Sequence, residues 1–312
     1  MTRNTDLNIL LANPRGFCAG VRRAIEIVEK ALKEFGAPIY VRHEIVHNKH
    51  VIAALKEKGA VFVNSLDDIE DTSRPVVFSA HGVSNFVKQR AAELGLKTID
   101  ATCPLVSRVH RQIAALEKKD SEIIVIGKAN HAEIIGTIGQ MESPYRARVI
   151  NSPEEAKALN LPRKTEIGFV TQTTLSVDDT KEIIDYLRKT YPNLEAMKKD
   201  DICFATTNRQ KAVKKIAPQV DLLIVIGSKN SSNSKQLKDV ALKNGAKNAI
   251  LIDDVSELEA GVLDNVKNVG ITAGASAPEH LVKDLICKLK ESYDIININN
   301  VIVAEENVAF KL

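Results

Sequence analysis

The chain has 312 residues, too many for one ordinary hydrophobic core, so two or three compact units are expected. Its 43 Lys and Arg against 40 Asp and Glu leave a net charge of +3 spread among mixed signs, and with no tryptophan this argues against nucleic acid as a partner. Four cysteines, no apolar targeting core at the N-terminus (residues 1–6) and no run near the ~20 apolar residues of a membrane span point to a soluble, cytoplasmic protein with no membrane partner and no disulfide framework.

An apolar strand at 7–11 (LNILL) leads into NPRGFCAGV at 13–21, and a helix follows on which Val21, Ala24, Ile25, Val28 and Leu32 recur at helical spacing. Cys18 therefore sits at a strand-to-helix turn, where backbone N–H groups and the helix dipole favour a thiolate. A strand at 38–43 precedes the polar turn VHNK (46–49) that carries His47, and a further strand at 76–82 ends in Ser79, His81 and Gly82. The pattern then restarts. The run TIDAT (98–102) precedes Cys103 and a helix with Val106, Val109, Ile113 and Leu116; EIIVIG (122–127) precedes a turn with His131 and Glu133; and IGFVTQTT (167–174) ends with Thr171 and Thr173. It restarts once more with Asp201 and Ile202 before Cys203 and a helix through Gln210, Val213 and Ile216. LLIVIG (222–227) opens into SKNSSNS (228–234), and VGITAGAS (269–276) ends at Ser276. Cys287 shares a helix with Leu281, Leu285 and Leu289 and reads as core.

From cysteine to polar turn the intervals are 29 residues for Cys18 to His47, 28 for Cys103 to His131 and 28 for Cys203 to Ser231. This threefold layout predicts three α/β units of similar plan, with short parallel strands and functional groups at their carboxyl ends. Polar linkers fall at 64–74, 141–155 and 191–201, the last being the expected inter-domain boundary. Any one cysteine alone is most simply a buried thiol, but three in one context suggest ligands. Three thiolates leave one metal position open. The absence of short Cys-x-x-Cys spacing disfavours a closed structural zinc and favours an iron–sulfur cluster with three protein ligands; spacing alone leaves a three-thiolate catalytic zinc open. Ser231, Ser232 and Asn233 open a helix as ordinary caps would, Ser276 and Glu279 have capping-box spacing, and Glu133 stands where a first-turn acid is common.

The runs NPRGFCAGV (13–21), SAHGV (79–83), DATCPL (100–105), TQTTLS (171–176), CFATTNRQ (203–210), GSKNSSNS (227–234) and TAGASAP (272–278) together resemble the 4-hydroxy-3-methylbut-2-enyl diphosphate reductase (LytB) family over residues 8 to about 290. The resemblance implies an α/β fold of three similar domains with short parallel sheets, in pseudo-threefold symmetry around a central iron–sulfur cluster. The domains would span 19–102, 103–199 and 1–18 with 200–290, followed by a C-terminal tail at 291–312. It implies one [4Fe-4S] cluster held by Cys18, Cys103 and Cys203, its fourth iron open to substrate. The implied reaction is reductive removal of the allylic hydroxyl of (E)-4-hydroxy-3-methylbut-2-enyl diphosphate, giving isopentenyl and dimethylallyl diphosphates at the last step of the methylerythritol phosphate route, with reduced ferredoxin or flavodoxin as electron donor. His47, His81, His131, Thr173, Ser231, Ser232, Asn233 and Ser276 would hold the substrate, and Glu133 would supply the proton with Thr173 in its relay. In the turn at 127–133 the chain departs from the family's pattern by carrying Lys128, Asn130 and Ala132, with His131 and Glu133 in place. The residues themselves leave two alternatives: a non-redox hydro-lyase using the same open iron, and a redox-sensing, phosphate-binding regulator.

Overall fold

The structure, a computed structural model, describes residues 6–119, 121–195 and 201–312. Most of the N-terminal segment 1–6, and residues 196–200 of the expected boundary at 191–201, lie outside the described residues. In chain order the elements are β1 (Asp6–Asn13), α1 (Ala19–Phe35), β2 (Ile39–Arg42), α2 (Lys49–Glu57), β3 (Ala60–Val63), β4 (Val76–Phe78), α3 (Asn85–Glu93) and β5 (Thr98–Asp100). They continue with α4 (Pro104–Glu117), β6 (Glu122–Ile126), α5 (Ala132–Ile138), β7 (Ala147–Ile150), α6 (Pro153–Lys157), β8 (Ile167–Thr171), α7 (Val177–Thr190) and β9 (Leu194–Glu195). The last are α8 (Phe204–Ile216), β10 (Leu222–Ile226), α9 (Ser232–Lys243), β11 (Asn248–Ile252), β12 (Asn268–Ala273), α10 (Glu279–Ser292) and β13 (Asp294–Ile302).

Two compact units emerge. The first comprises Met1–Val21, His47–Val51 and Phe204–Ala309, and the second Arg22–Val46, Ile52–Cys203 and Phe310–Leu312. The first unit holds a five-stranded sheet of order β11-β10-β12-β1-β13; the second holds two four-stranded sheets, β3-β2-β4-β5 and β7-β6-β8-β9. Every pairing is parallel.

Central strands read as unbroken apolar runs because helices cover both faces. In β10, Leu222, Ile224 and Ile226 join α10's Leu281, Leu285 and Leu289, while Leu223 and Val225 join Val213 and Ile216 of α8 and Leu237 of α9. In β6, Ile124 and Ile126 pack with Ile183 and Leu187 of α7, and Ile123 and Val125 with Val109 and Ile113 of α4. The period-two alternation of a strand thus feeds two cores from one run.

The three sheets repeat one order. Each places its first strand (β2, β6 or β10) between its second and third, and its fourth beside the third: β5, β9 and β1. The outer strands β3, β7 and β11 were not legible as separate elements. Accordingly 64–74 lies between two strands of one sheet and 141–155 contains β7, so neither linker joins sheets. β7 has one buried residue in four, and an edge strand of that composition looks like a loop. The tail also holds structure: β13 pairs with β1 from Asp6↔Asp294 to Asn13↔Ile302. Cys287 is exposed, not core. On α10 the buried face is Leu281, Val282, Leu285 and Leu289, and Cys287 lies two residues, about 200°, beyond Leu285. No helix among the described residues is long and apolar enough to cross a membrane.

Candidate active site

With the first and third strands adjacent in every sheet, the chain departs in opposite directions from their carboxyl ends, which opens the crevice where α/β sheets bind ligands. The polar turns singled out in the sequence all follow those strands: His47 and His81 after β2 and β4, His131 and Glu133 with Thr173 after β6 and β8, and Ser231, Ser232 and Asn233 with Ser276 after β10 and β12. The cysteines follow the fourth strands. Each cysteine N–H donates to a carbonyl two residues beyond the end of the third strand: Cys18 to Ala275 at 3.1 Å, Cys103 to Ala80 at 3.0 Å and Cys203 to Thr173 at 3.1 Å. All three are half-buried and immediately precede a helix.

In the second unit, Glu133 is 2% exposed and accepts from the Thr173 N–H at 2.6 Å and the Thr173 hydroxyl at 2.9 Å. Burial pushes its carboxyl up to about 7, against the pull of those two donors, and the nearby Asp201 carboxylate pushes the same way. The Glu133 N–H donates to His131 Nδ1 at 3.1 Å, capping α5. Since that nitrogen accepts, the neutral ring carries its proton on Nε2. The His81 ring stands edge-on to His131, centroids 5.8 Å apart, and its Nδ1 lies 3.5 Å from Ser79 Oγ. These two turns meet across close backbone: a Cβ on Gly136 would lie 3.1 Å from the Gly82 carbonyl, and one on Gly82, at φ +78°, would lie 2.4 Å from the His110 ring. His81, Cys103, His131, Glu133, Thr173 and Cys203 are therefore linked within this unit.

The first unit gathers the rest. Ser276 donates through its hydroxyl to the His47 carbonyl at 2.9 Å, and the Lys49 N–H donates to Ser228 Oγ at 3.3 Å, so His47 packs here although it follows β2. The capping reading of Ser276 fails because α10 starts at Glu279 with Pro278, extended at ψ 143°, as its cap. Ser231 does cap α9, accepting from the Ser234 N–H at 3.3 Å. Asn233 is 4% exposed, and neither its amide oxygen nor its nitrogen finds a partner among the described residues. A buried amide left without a protein partner is costly and points to a ligand.

Sequence reasoning passed over Asp201 and Thr272. Asp201 Oδ2 accepts from the Thr171 N–H at 3.1 Å and its carboxylate faces Arg108 at 3.6 Å, while the Thr272 hydroxyl is buried and unsatisfied. An available signal was an acid shortly before a cysteine in two repeats, Asp100 before Cys103 and Asp201 before Cys203.

The LytB protein family model matches residues 9–290. The chain belongs to this family. It is 52% identical to the 4-hydroxy-3-methylbut-2-enyl diphosphate reductase of Aeromonas hydrophila over 98% of each chain, and 51% identical to that of Gluconobacter oxydans over 98% of this chain and 91% of the other. The structure of the Plasmodium falciparum E-1-hydroxy-2-methyl-but-2-enyl-4-diphosphate reductase superposes with a TM-score of 0.92 at 40% identity, covering 99% of this chain and 96% of that one. In a LytB protein the fold described above, with three short parallel sheets, is the family's α/β architecture.

As donors, three half-buried thiols in one repeated setting fit an iron–sulfur cluster, because sulfur is a soft ligand. Neither unit by itself brings three or more His, Cys, Asp or Glu side chains together to hold a single metal ion, among the described residues.

Proposed function

We infer that the chain is a 4-hydroxy-3-methylbut-2-enyl diphosphate reductase acting at the terminal step of the methylerythritol phosphate route. The net reaction takes two electrons and two protons, breaks the allylic C–O bond, releases water and leaves isopentenyl or dimethylallyl diphosphate. The alternatives of hydro-lyase and regulator gain no support from the relatives' names. The single observation that carries the chemistry is the burial of Glu133, 2% exposed, which pushes its carboxyl up to about 7, so that it can hold a proton at neutral pH and give it up to a leaving oxygen.

Cys18, Cys103 and Cys203 would hold a [4Fe-4S] cluster, which when bound supplies the electrons and an iron open to substrate. Glu133 delivers the proton to the departing hydroxyl oxygen, and the Thr173 hydroxyl, which already donates to Glu133 Oε2, orients that carboxyl and relays its replacement proton. His131 presents Nε2–H, and His47, His81, Thr173, Ser231, Ser232, Asn233 and Ser276 add further donors for the diphosphate. Charge-assisted hydrogen bonds to phosphate are the strong class, and the unmet Asn233 amide supports this assignment. Reduced ferredoxin or flavodoxin is the electron donor and the cytoplasm the compartment in this reading.

The test is anaerobic purification with iron and sulfide analysis, followed by turnover of the allylic diphosphate alcohol with a chemical reductant. Product formation that needs the reductant supports the reading. Water loss without reductant would favour the hydro-lyase, and binding without turnover the regulator.

A further inference from the structure

We propose that the segment after β13 is a strap that fixes the Cys18 loop, with Arg209 and Glu306 as positioning residues; this rests on reading Cys18 as a cluster ligand. All of the groups concerned lie in the first unit. Arg209, on α8, is 1% exposed and points its guanidinium at the backbone before Cys18: Nε and Nη2 donate to the Gly16 carbonyl at 3.1 and 2.7 Å. Its Nη1 donates to the Ala205 carbonyl at 2.9 Å and to both oxygens of Glu306 at 3.1 Å. Asn208 Nδ2 donates to the same carboxylate at 3.1 Å. A guanidinium buried without a counter-charge is strongly unfavourable, and Glu306, its side chain 9% exposed, offsets that cost from the far end of the chain.

Two further ties join the same segments. The Val303 N–H donates to the Asn13 carbonyl at 3.0 Å, extending the β1 and β13 pairing, and Arg15 Nη1 donates to Asn300 Oδ1 at 3.3 Å. The Gly16 and Cys18 N–H groups also donate to the carbonyls of Ala273 and Ala275, each at 3.1 Å. The loop is thus held by β12 and its following turn through N–H groups and by Arg209 through a carbonyl. Among these ties the Arg209 ion pair depends on a carboxylate in the tail. Arg209 and Glu306 act through the loop and need touch no substrate. Their effect is to set how often the Cys18 loop opens, and through that how long a cluster is retained.

The experiment compares the anaerobic holoenzyme with Glu306→Ala, Glu306→Gln and, as a milder lesion outside the ion pair, Asn300→Ala. Amide hydrogen exchange at Gly16 and Cys18 and the rate of iron release to a ferrous chelator are measured on each. Glu306→Ala should raise both rates roughly ten- to a hundredfold, the worth of one charge-assisted hydrogen bond, with β10 amides unchanged. Glu306→Gln, which keeps an acceptor but not the charge, should fall between, and Asn300→Ala should show a smaller change of the same sign. Asp67→Ala, which breaks an exposed pair with Arg90, should change neither rate. Unchanged exchange at Gly16 and Cys18 in every tail variant overturns the strap. Faster exchange with unchanged iron release overturns its link to the cluster. Cys18→Ser then locates the fault: iron lost in that variant leaves the ligand assignment standing, and iron retained removes it.

Discussion

Replacing Glu133 by glutamine isolates the proton from everything else the side chain does. When protonated, Glu133 would accept the Thr173 N–H with one oxygen and share a hydrogen bond between its own O–H and the Thr173 hydroxyl; glutamine can offer an oxygen and an N–H in the same places. The variant therefore mimics the acid without being able to donate its proton. Turnover should fall by roughly 10²–10⁴-fold, the usual worth of a positioned general acid, with iron content and diphosphate affinity preserved. The wild-type pH profile supplies a second handle. With the carboxyl at about 7, half the enzyme carries the proton at pH 7 and about a tenth at pH 8, so kcat/KM should fall about fivefold from pH 7 to 8 and about tenfold from pH 8 to 9. The residual rate of Glu133→Gln should lack that limb. The assay is anaerobic turnover with a strong chemical reductant over pH 6–9, so that electron supply does not limit. A wild-type profile flat from pH 7 to 9, or near-normal turnover by the variant, would refute the assignment and return Glu133 to the ordinary role of a carboxyl at a helix start.

Stability carries the same signature. A carboxyl raised from 4.5 to about 7 by burial favours the fold most below pH 4.5, and that advantage, about 3 kcal/mol, is lost as pH rises through 7. Glu133→Gln should therefore gain up to about 3 kcal/mol over wild type by pH 8 and little at pH 5, read as the pH dependence of urea midpoints. Serine in place of Cys18, Cys103 or Cys203 should abolish bound iron, whereas Cys287→Ser, on the exposed face of α10, should leave it intact; a full cluster without Cys103 would contradict the three-ligand assignment. Asn233→Ala should weaken binding of pyrophosphate by roughly one to two orders of magnitude while leaving stability unchanged within about 1 kcal/mol, since the amide it removes has no protein partner among the described residues. Gly274→Ala should destabilise by about 1–3 kcal/mol, because its Cβ would lie 2.1 Å from Ser234 Oγ, and adding Ser234→Ala should recover part of the loss in thermal unfolding.

What the sequence disclosed follows from which physical demands are local. The strand-to-helix position of Cys18, Cys103 and Cys203 is written in flanking apolar periodicity, and their interval to the next polar turn repeats, so three sites could be aligned without any structure. The edge strands β3, β7 and β11 are four or five residues long and bury only two of four, one of four and two of five residues, so each is too short and too little buried to show a period of its own. Cys287 was misread because two leucines four residues apart define a helix face only when the intervening angle is counted.

The roles of Asp201 and Glu306 were illegible for a different reason: each acts on a partner far away in sequence. Asp201 matters because its carboxylate faces the surroundings of Glu133, 68 positions earlier, and Glu306 because Arg209 is buried 97 positions before it. No local pattern announces such a pairing, since an acid before a cysteine or in a polar tail is ordinary in both settings. The electrostatic consequence nevertheless orders the two sites. At Glu133 a like charge adds to burial and keeps a proton in place, whereas at Arg209 an opposite charge offsets burial and holds a backbone loop. Removing the Asp201 charge by Asp201→Asn should accordingly shift the Glu133 limb of the pH profile to lower pH without abolishing it. A limb that stayed in place would mean that burial and the two Thr173 donors set the Glu133 proton affinity without Asp201.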